Sequence, residues 1–398
     1  MPSLGNQEYI RDMNSRIVLG QIIRQEPVSR AALAKTLGLT KATVSSIVQT
    51  FIDQEYVVEI GSLNTGKGRK PILLKFNGDC AYTLSVYLSV DSTFILICNL
   101  RGENRQFFSY PPAGPHPQKR LCQYIRLAAN CCPPSRYGIV GITIGILGIV
   151  HNNRIQFTPY YDLDSPDLAR QIQEEFKIPV RLENEANLSA LGERTFFHNH
   201  PSLISLNIHT GIGMGIILDN RLYTGQFGYA GEFGHTIIEP GGKPCPCGNR
   251  GCIEQYASLR AIVDMYRQAI KNPTADASDL CQAYLEHQPQ ARACVETFIK
   301  YMSIALNNIL NIFNPDMIII SSILTEKIPG LIREIEQHMS NTFNRNCCFV
   351  AASHSQETSI LLGGACLAAK NFLKVSDLQF CKTSNETAPD SGAAAPVS

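Results

Sequence analysis

Apolar residues recur at helical spacing through the first 55 positions and at strand spacing further on, and the change of period divides the chain. Residues 14 to 76 read as helix, helix, turn, helix and a two-stranded wing. Ile17, Leu19, Ile22 and Ile23 predict a first helix from about Asn14 to Arg24. Ser29 suits the N-cap of a second, "RAALAKTLG", in which Leu33 and Leu37 stack at i, i+4 and Gly38 fits a left-handed C-terminal position. Thr40 then caps a third helix, where Val44, Ile47, Val48 and Phe51 fall at i, i+3, i+4, i+7 as one buried stripe. "YVVEI" (56–60) and "ILLKF" (72–76) are apolar strands around the basic, glycine-containing loop "GSLNTGKGRK".

From about residue 79 strands alternate with amphipathic helices. "YTLSVYLSV", "TFILICNL", "YGIVGITIG", "LISLNIH", "MGIILD" and "DMIIISS" are strand candidates, with "DLARQIQEEF" and "RACVETFIKYMSIALNNILNIF" helical between them. Such alternation predicts α/β layers, and the length of the region predicts two lobes around a cleft. "LLGGACLAAKNF" (361–372) reads as a helix packing back on that cleft, its glycines allowing close approach. The domains are therefore expected at 1–78 and 79–374, followed by a small, polar, disordered tail at 375–398.

Composition narrows the class. A chain of 398 residues exceeds what one core organises, in keeping with several domains. No secretory signal opens it, and "IVGITIGILGIV" (139–150) is far short of the roughly 20 apolar residues that span a bilayer. A cytoplasmic protein without membrane partners is expected, its 14 scattered cysteines mostly reduced. Net charge is +1, yet residues 1–78 hold ten Lys/Arg against six Asp/Glu, leaving 25 against 28 elsewhere.

That basic segment carries the first candidate chemistry. Opposite its apolar stripe, the third helix presents Lys41, Ala42, Thr43, Ser45, Ser46 and Gln49, which are small or hydrogen-bonding and suit a major groove. Lys67, Arg69 and Lys70 of the wing can meet phosphates or a narrow minor groove. A protein-binding winged helix is the alternative; the basic wing favours DNA.

The second candidate is "GEFGHTIIEPGGKPCPCGNRGC" (231–252). His235, Cys245, Cys247 and Cys252 make a four-ligand tetrahedral set that suits zinc and leaves no open coordination position, so the metal is expected to be structural. A reduced loop without metal is the alternative.

At these residues a resemblance becomes specific. "AGEFGHT" followed by C-x-C-G-x-x-G-C-x-E resembles the signature of the ROK family of bacterial sugar kinases and sugar-responsive repressors. "GITIGILGIV", "LENEANLSALGE", "TGIGMGIILDNRLYTGQFGYAGEFGH" and "NPDMIIISS" match further family segments in order. The resemblance implies an actin-like, hexokinase-like two-lobed fold with sugar in the cleft. It implies sugar contacts at Asn184, Glu185, Glu232, His235 and Glu254, whose carboxylates and amide suit a polyol. His235 would hold zinc with one ring nitrogen and a sugar hydroxyl with the other. The winged helix is similar to that of the repressor branch, since the family's kinases lack it.

Repressor and kinase readings differ in the phosphate loops. Where the family's kinases carry D-x-G-x-T, this chain has Tyr87 and Ser89 at the acid and glycine. Glu185 replaces the usual catalytic aspartate, Ser321 and Ser322 stand where glycines would admit nucleotide, and Leu147 replaces a loop proline. Gly211, Gly213 and Gly215 remain. These departures favour a non-enzymatic, sugar-responsive repressor on palindromic operator DNA, as a homodimer or a dimer of dimers. The alternative is a ROK-type sugar kinase with an appended DNA-binding module. The resemblance also leaves open a phosphotransfer protein as the effector.

Overall fold

The computed structural model describes residues 7–62, 71–114, 117–158, 161, 167–339, 348–353 and 356–380. The wing residues Lys67, Arg69 and Lys70 and the tail from residue 381 lie outside them.

The winged helix comprises α1 (Gln7–Gln25), β1 (Val28–Ser29), α2 (Arg30–Leu37), α3 (Lys41–Asp53), β2 (Val57–Ser62) and β3 (Ile72–Phe76), its strands ordered β1-β3-β2. Local chemistry sets its boundaries. Ser29 accepts from Ala32 N to cap α2, which ends at Gly38 with φ 65, and Thr40 accepts from Thr43 N to cap α3. Val44, Ile47, Val48 and Phe51 form the buried stripe of α3. Helix α1 begins about two turns earlier than its apolar pattern predicts, and its inward stripe is Val18, Leu19, Ile22 and Ile23. Ile17 points to solvent, 45% exposed, because pairs at i, i+1, i+4, i+5 already fill the narrow seam.

The first lobe contains β4 (Tyr82–Leu88), β5 (Thr93–Asn99), β6 (Gln106–Tyr110), α4 (Pro117–Ala129), β7 (Ile139–Ile146), β8 (Ile149–His151), β9 (Arg154–Phe157), α5 (Leu168–Phe176), β10 (Val180–Asn184) and α6 (Glu185–Gly192). The second contains β11 (Leu203–Ile208), β12 (Ile212–Leu218), β13 (Arg221–Leu222), α7 (Glu254–Ala257), α8 (Leu259–Ile270), α9 (Ala277–Leu285), α10 (Pro289–Phe313), β14 (Met317–Ser321), α11 (Ile323–Lys327), α12 (Leu331–Gln337), β15 (Phe349–Ala352) and α13 (Gln356–Leu373).

The two large sheets share one plan. Orders β6-β5-β4-β7-β10 and β13-β12-β11-β14-β15 both place an antiparallel meander beside two parallel strands, so the same five-strand unit occurs twice. Strands covered on both faces read as continuous apolar runs, which is why β4, β7, β11 and β14 are legible from sequence.

Helices α6 and α13 cross where the lobes meet. A Cβ on Gly363 would lie 1.8 Å from Leu188 O and one on Gly192 would lie 1.9 Å from Ser359 O, so only glycine permits this approach. A single apolar cluster there unites Tyr87 and Leu96 of the first lobe, Leu203 and Ile319 of the second, and Ile360 to Leu362 of α13.

The expected tail boundary at 375 needs correction. Val375 and Leu378 are buried in one cluster with Leu33, Val48 and Phe76 of the winged helix and with Cys366, Ala369 and Leu373 of α13. Phe380 stacks on Phe76 and Phe196, and Asp377 pairs with the buried Arg194 and with Arg24. Six residues with three apolar side chains carry no helical or strand period, yet they seal the seam between the winged helix and the lobes.

Candidate functional site

Asn184 ends β10 and caps α6: its Oδ1 accepts from Ala186 N and Asn187 N, while Nδ2 donates to Gly148 O at 2.8 Å. Three bonds leave one amide proton for a ligand. Glu185 follows, buried, with Oε2 accepting from Ala186 N. Burial pushes its carboxyl up to about 7, opposed by that N–H and helped by the charge of Glu232.

Across the cleft a short turn, Phe233–His235, sets Glu232 and His235 on one side. His235 Nε2 lies 3.9 Å from Glu232 Oε2, and His235 Nδ1 lies 3.7 Å from Glu254 Oε1. Glu254, at the start of α7, also accepts from Cys245 Sγ at 3.2 Å and from Gln255 Nε2 at 3.1 Å. Burial raises the Glu232 carboxyl, with His235 pulling it down and Glu254 adding to the rise. Gly211 and Gly213 let these acids approach the β11–β12 turn, since Cβ atoms there would sit 3.2 Å from Glu254 Oε2 and from Glu185 Oε1.

Behind His235 the ligand atoms of His235, Cys245, Cys247 and Cys252 all lie within 4.8 Å of one another. The loop that gathers them is pinned by Cys245 N to Asn249 O, Gly251 N to Lys243 O and Ile253 N to Thr236 O. Gly251 has φ 89, and a Cβ there would meet Glu239 O at 1.8 Å. Cys247 and Cys252 sulfurs stand 3.7 Å apart, and His235 Nδ1 stands 3.5 Å from Cys245 Sγ. A tetrahedral ion with metal–sulfur bonds near 2.3 Å has edges of about 3.8 Å, so the donor set fits such an ion. The twelve cysteines among the described residues are all free thiols.

On α3, Lys41, Ala42, Ser45, Ser46 and Gln49 are exposed and Thr43 is half-buried, all opposite the core stripe. Thr43 Oγ1 shares a 2.8 Å hydrogen bond with Thr40, and Gln49 Nε2 donates to Asp53. At the positions of the kinase loops, Tyr87 is buried and stacks on Phe94, and Ser322 caps α11 through Leu324 N. Ser321 is buried, and Leu147 packs against the cluster between the lobes.

The ROK family model matches residues 84–371. The chain belongs to the ROK family. A MarR family model covers residues 14–67, so a MarR-type winged helix precedes the actin-like, hexokinase-like ROK domain. A xylose repressor of Bacillus spizizenii is 36% identical over 345 residues, 85% of this chain and 89% of that protein. A crystal structure of a ROK family transcriptional regulator, a homolog of the E. coli MLC protein, aligns with TM-score 0.79 and 25% identity over 92% of this chain and 97% of that one. A ROK family glucokinase from Streptomyces griseus, in complex with glucose and AMPPNP, shares the fold with TM-score 0.64 and 24% identity. It covers 73% of this chain and 99% of its own.

Sequence reasoning missed Glu183, whose Oε1 accepts from Asn184 N and Asn187 Nδ2, and Gln255, which bonds both Glu254 and Cys245. Each sits beside a residue already singled out in the ROK motifs, and that adjacency was the available signal.

Proposed function

We propose that this ROK family member is a transcriptional repressor whose affinity for operator DNA is set by a monosaccharide held between the lobes. One observation carries the reading. Helix α13 packs on α6, which opens at Asn184 and Glu185, and its far end enters the core of the winged helix. A ligand between the acids would therefore bear on the DNA module through one element. The xylose repressors among its relatives make D-xylose the first effector to try.

In this reading Glu185, Glu232 and Glu254 accept paired hydrogen bonds from sugar hydroxyls, Asn184 donates its remaining N–H, and His235 Nε2 faces the ligand. His235, Cys245, Cys247 and Cys252 would hold a structural Zn²⁺, which when bound fixes the imidazole; four protein ligands leave no place for an activated water. Lys41, Ala42, Thr43, Ser45, Ser46 and Gln49 enter the major groove, and Lys67, Arg69 and Lys70 meet the backbone. A homodimer, or a dimer of dimers, reads a palindrome in the cytoplasm. A sugar that prefers the non-binding arrangement 100-fold supplies about 2.7 kcal/mol of coupling.

The absence of phosphoryl transfer belongs to the same proposal. Tyr87 fills its site with an aromatic ring, and the glycines of the β11–β12 turn accommodate carboxylates, which explains their retention without a phosphate. Calorimetric titration with D-xylose and other monosaccharides tests the cleft. Binding that weakens at least tenfold in Glu232→Gln and Glu254→Gln supports it, and silence toward every sugar removes it. Turnover of ATP with any of these sugars would restore the kinase reading.

A further inference from the structure

A separate cavity of about 290 Å³ opens where four elements meet. Strand β10 contributes Arg181 and Glu183, the β8–β9 hairpin contributes Asn152, the second-lobe loop contributes Thr224, and α13 contributes Leu367 and Asn371. None of the five proposed sugar contacts lines it. We propose that this cavity is a second small-molecule site, taking a hydroxylated monocarboxylate of the sugar-acid class, with its carboxylate on Arg181.

Arg181 is the anchor. Its side chain is exposed into the cavity, and it has no ion-pair partner among the described residues. A guanidinium presents two parallel N–H donors that match a carboxylate in bidentate fashion. Glu183 lies two residues along the same strand and so on the same face. Its Oε1 is held by Asn187 Nδ2 and Asn184 N, which fixes a second, acidic group beside the arginine. A single guanidinium offers one positive charge, which balances a monocarboxylate and leaves half the charge of a phosphate dianion uncompensated. Amides, a hydroxyl and the His151 imidazole complete the polar lining. Asn152 donates to His151 Nε2 and keeps its carbonyl oxygen, while Asn371 and Thr224 offer an amide and a hydroxyl, partners for the ligand's hydroxyls. The volume suits a monosaccharide-sized ligand.

The position gives binding a consequence. Asn371 precedes Phe372, whose ring meets Tyr56 of the winged helix at 5.7 Å and Tyr137 of the first lobe at 5.4 Å. A ligand bridging Arg181 and Asn371 ties β10 to the last turn of α13, next to the aromatic contact that seats the DNA module.

The test is calorimetry on the full chain, titrating D-gluconate and, separately, D-glucuronate, each with and without saturating D-xylose. Saturable binding of at least one acid that survives xylose is expected, with D-glucose and inorganic phosphate at least tenfold weaker. Arg181→Ala should weaken acid binding tenfold or more, and Arg181→Lys should fall between, both keeping the wild-type melting temperature and D-xylose binding. No saturable heat from either acid, unchanged affinity in Arg181→Ala, or displacement of the acid by D-xylose would each overturn the proposal. Acid titrations without xylose stand independently of whether the cleft binds sugar.

Discussion

Glu185 shows how a single buried group sets a pH response. Its carboxyl titrates near 7 in the folded chain against about 4.5 when solvated, so between these values the native state holds more protons than the unfolded one. Its contribution to stability is present below pH 4.5 and is lost as pH rises through 7. Glu185→Gln should therefore match wild type at pH 4.5 and exceed it at pH 8 by about 1 to 3 kcal/mol, read from urea midpoints. Equal midpoints at pH 8 would contradict the burial argument. The metal set answers a different question. Cys247 is exposed and contributes nothing to packing, so Cys247→Ser changes little except the fourth ligand. Metal analysis by mass spectrometry should find one zinc per wild-type chain and less than a tenth of that in the variant. Chelation should unfold the 231–252 loop, because small zinc sites contribute roughly 10 to 16 kcal/mol of apparent binding free energy. Unchanged thermal stability after metal removal would refute a structural ion.

At the scale of elements, α13 and the strap at 375–380 couple the parts. Arg194 is buried and pairs with Asp377, so Asp377→Ala leaves a buried cation without its carboxylate, only the carbonyl oxygens of Asn220 and Leu378 remaining, and should cost about 3 kcal/mol, with the melting temperature falling accordingly. A variant as stable as wild type would mean that the strap does not hold. Adding a side chain at Gly363 should separate α13 from α6, since even alanine brings Cβ against a carbonyl oxygen. Gly363→Ala is expected to lower stability and, where it still folds, to uncouple DNA affinity from sugar. Elements with local signals were legible in sequence: the caps Ser29 and Thr40, the stripe of α3, the cysteine loop, and the apolar runs of β4, β7, β11 and β14. What escaped depends on distant partners. The strap is six residues without a period, and Asp377 meets an arginine 183 positions away. Strands β10, β13 and β15 are short, so the repeated five-strand plan emerges only once the sheets are assembled. Ile17 was misplaced because neighbouring apolar positions on one helix compete for a narrow seam.

At the scale of the whole molecule, the two modules pack as one unit. The winged helix shares its core with α13 and the strap, and the partly buried Glu26–Arg101 pair and the Arg136–Glu55 pair cross the same seam. Sugar held by acids of both lobes would shift their relative placement, and the module seated on α13 would move with them. DNA affinity should fall steeply with salt, by about 0.9 in log–log slope per phosphate contact, and Lys67→Ala should reduce that slope by about one unit. The most direct measurement selects a binding duplex from a random DNA pool with the purified chain, then follows its fluorescence anisotropy at fixed salt with and without D-xylose. Saturable binding that weakens at least tenfold with D-xylose or another monosaccharide is expected. An affinity unchanged by every sugar tested would contradict it.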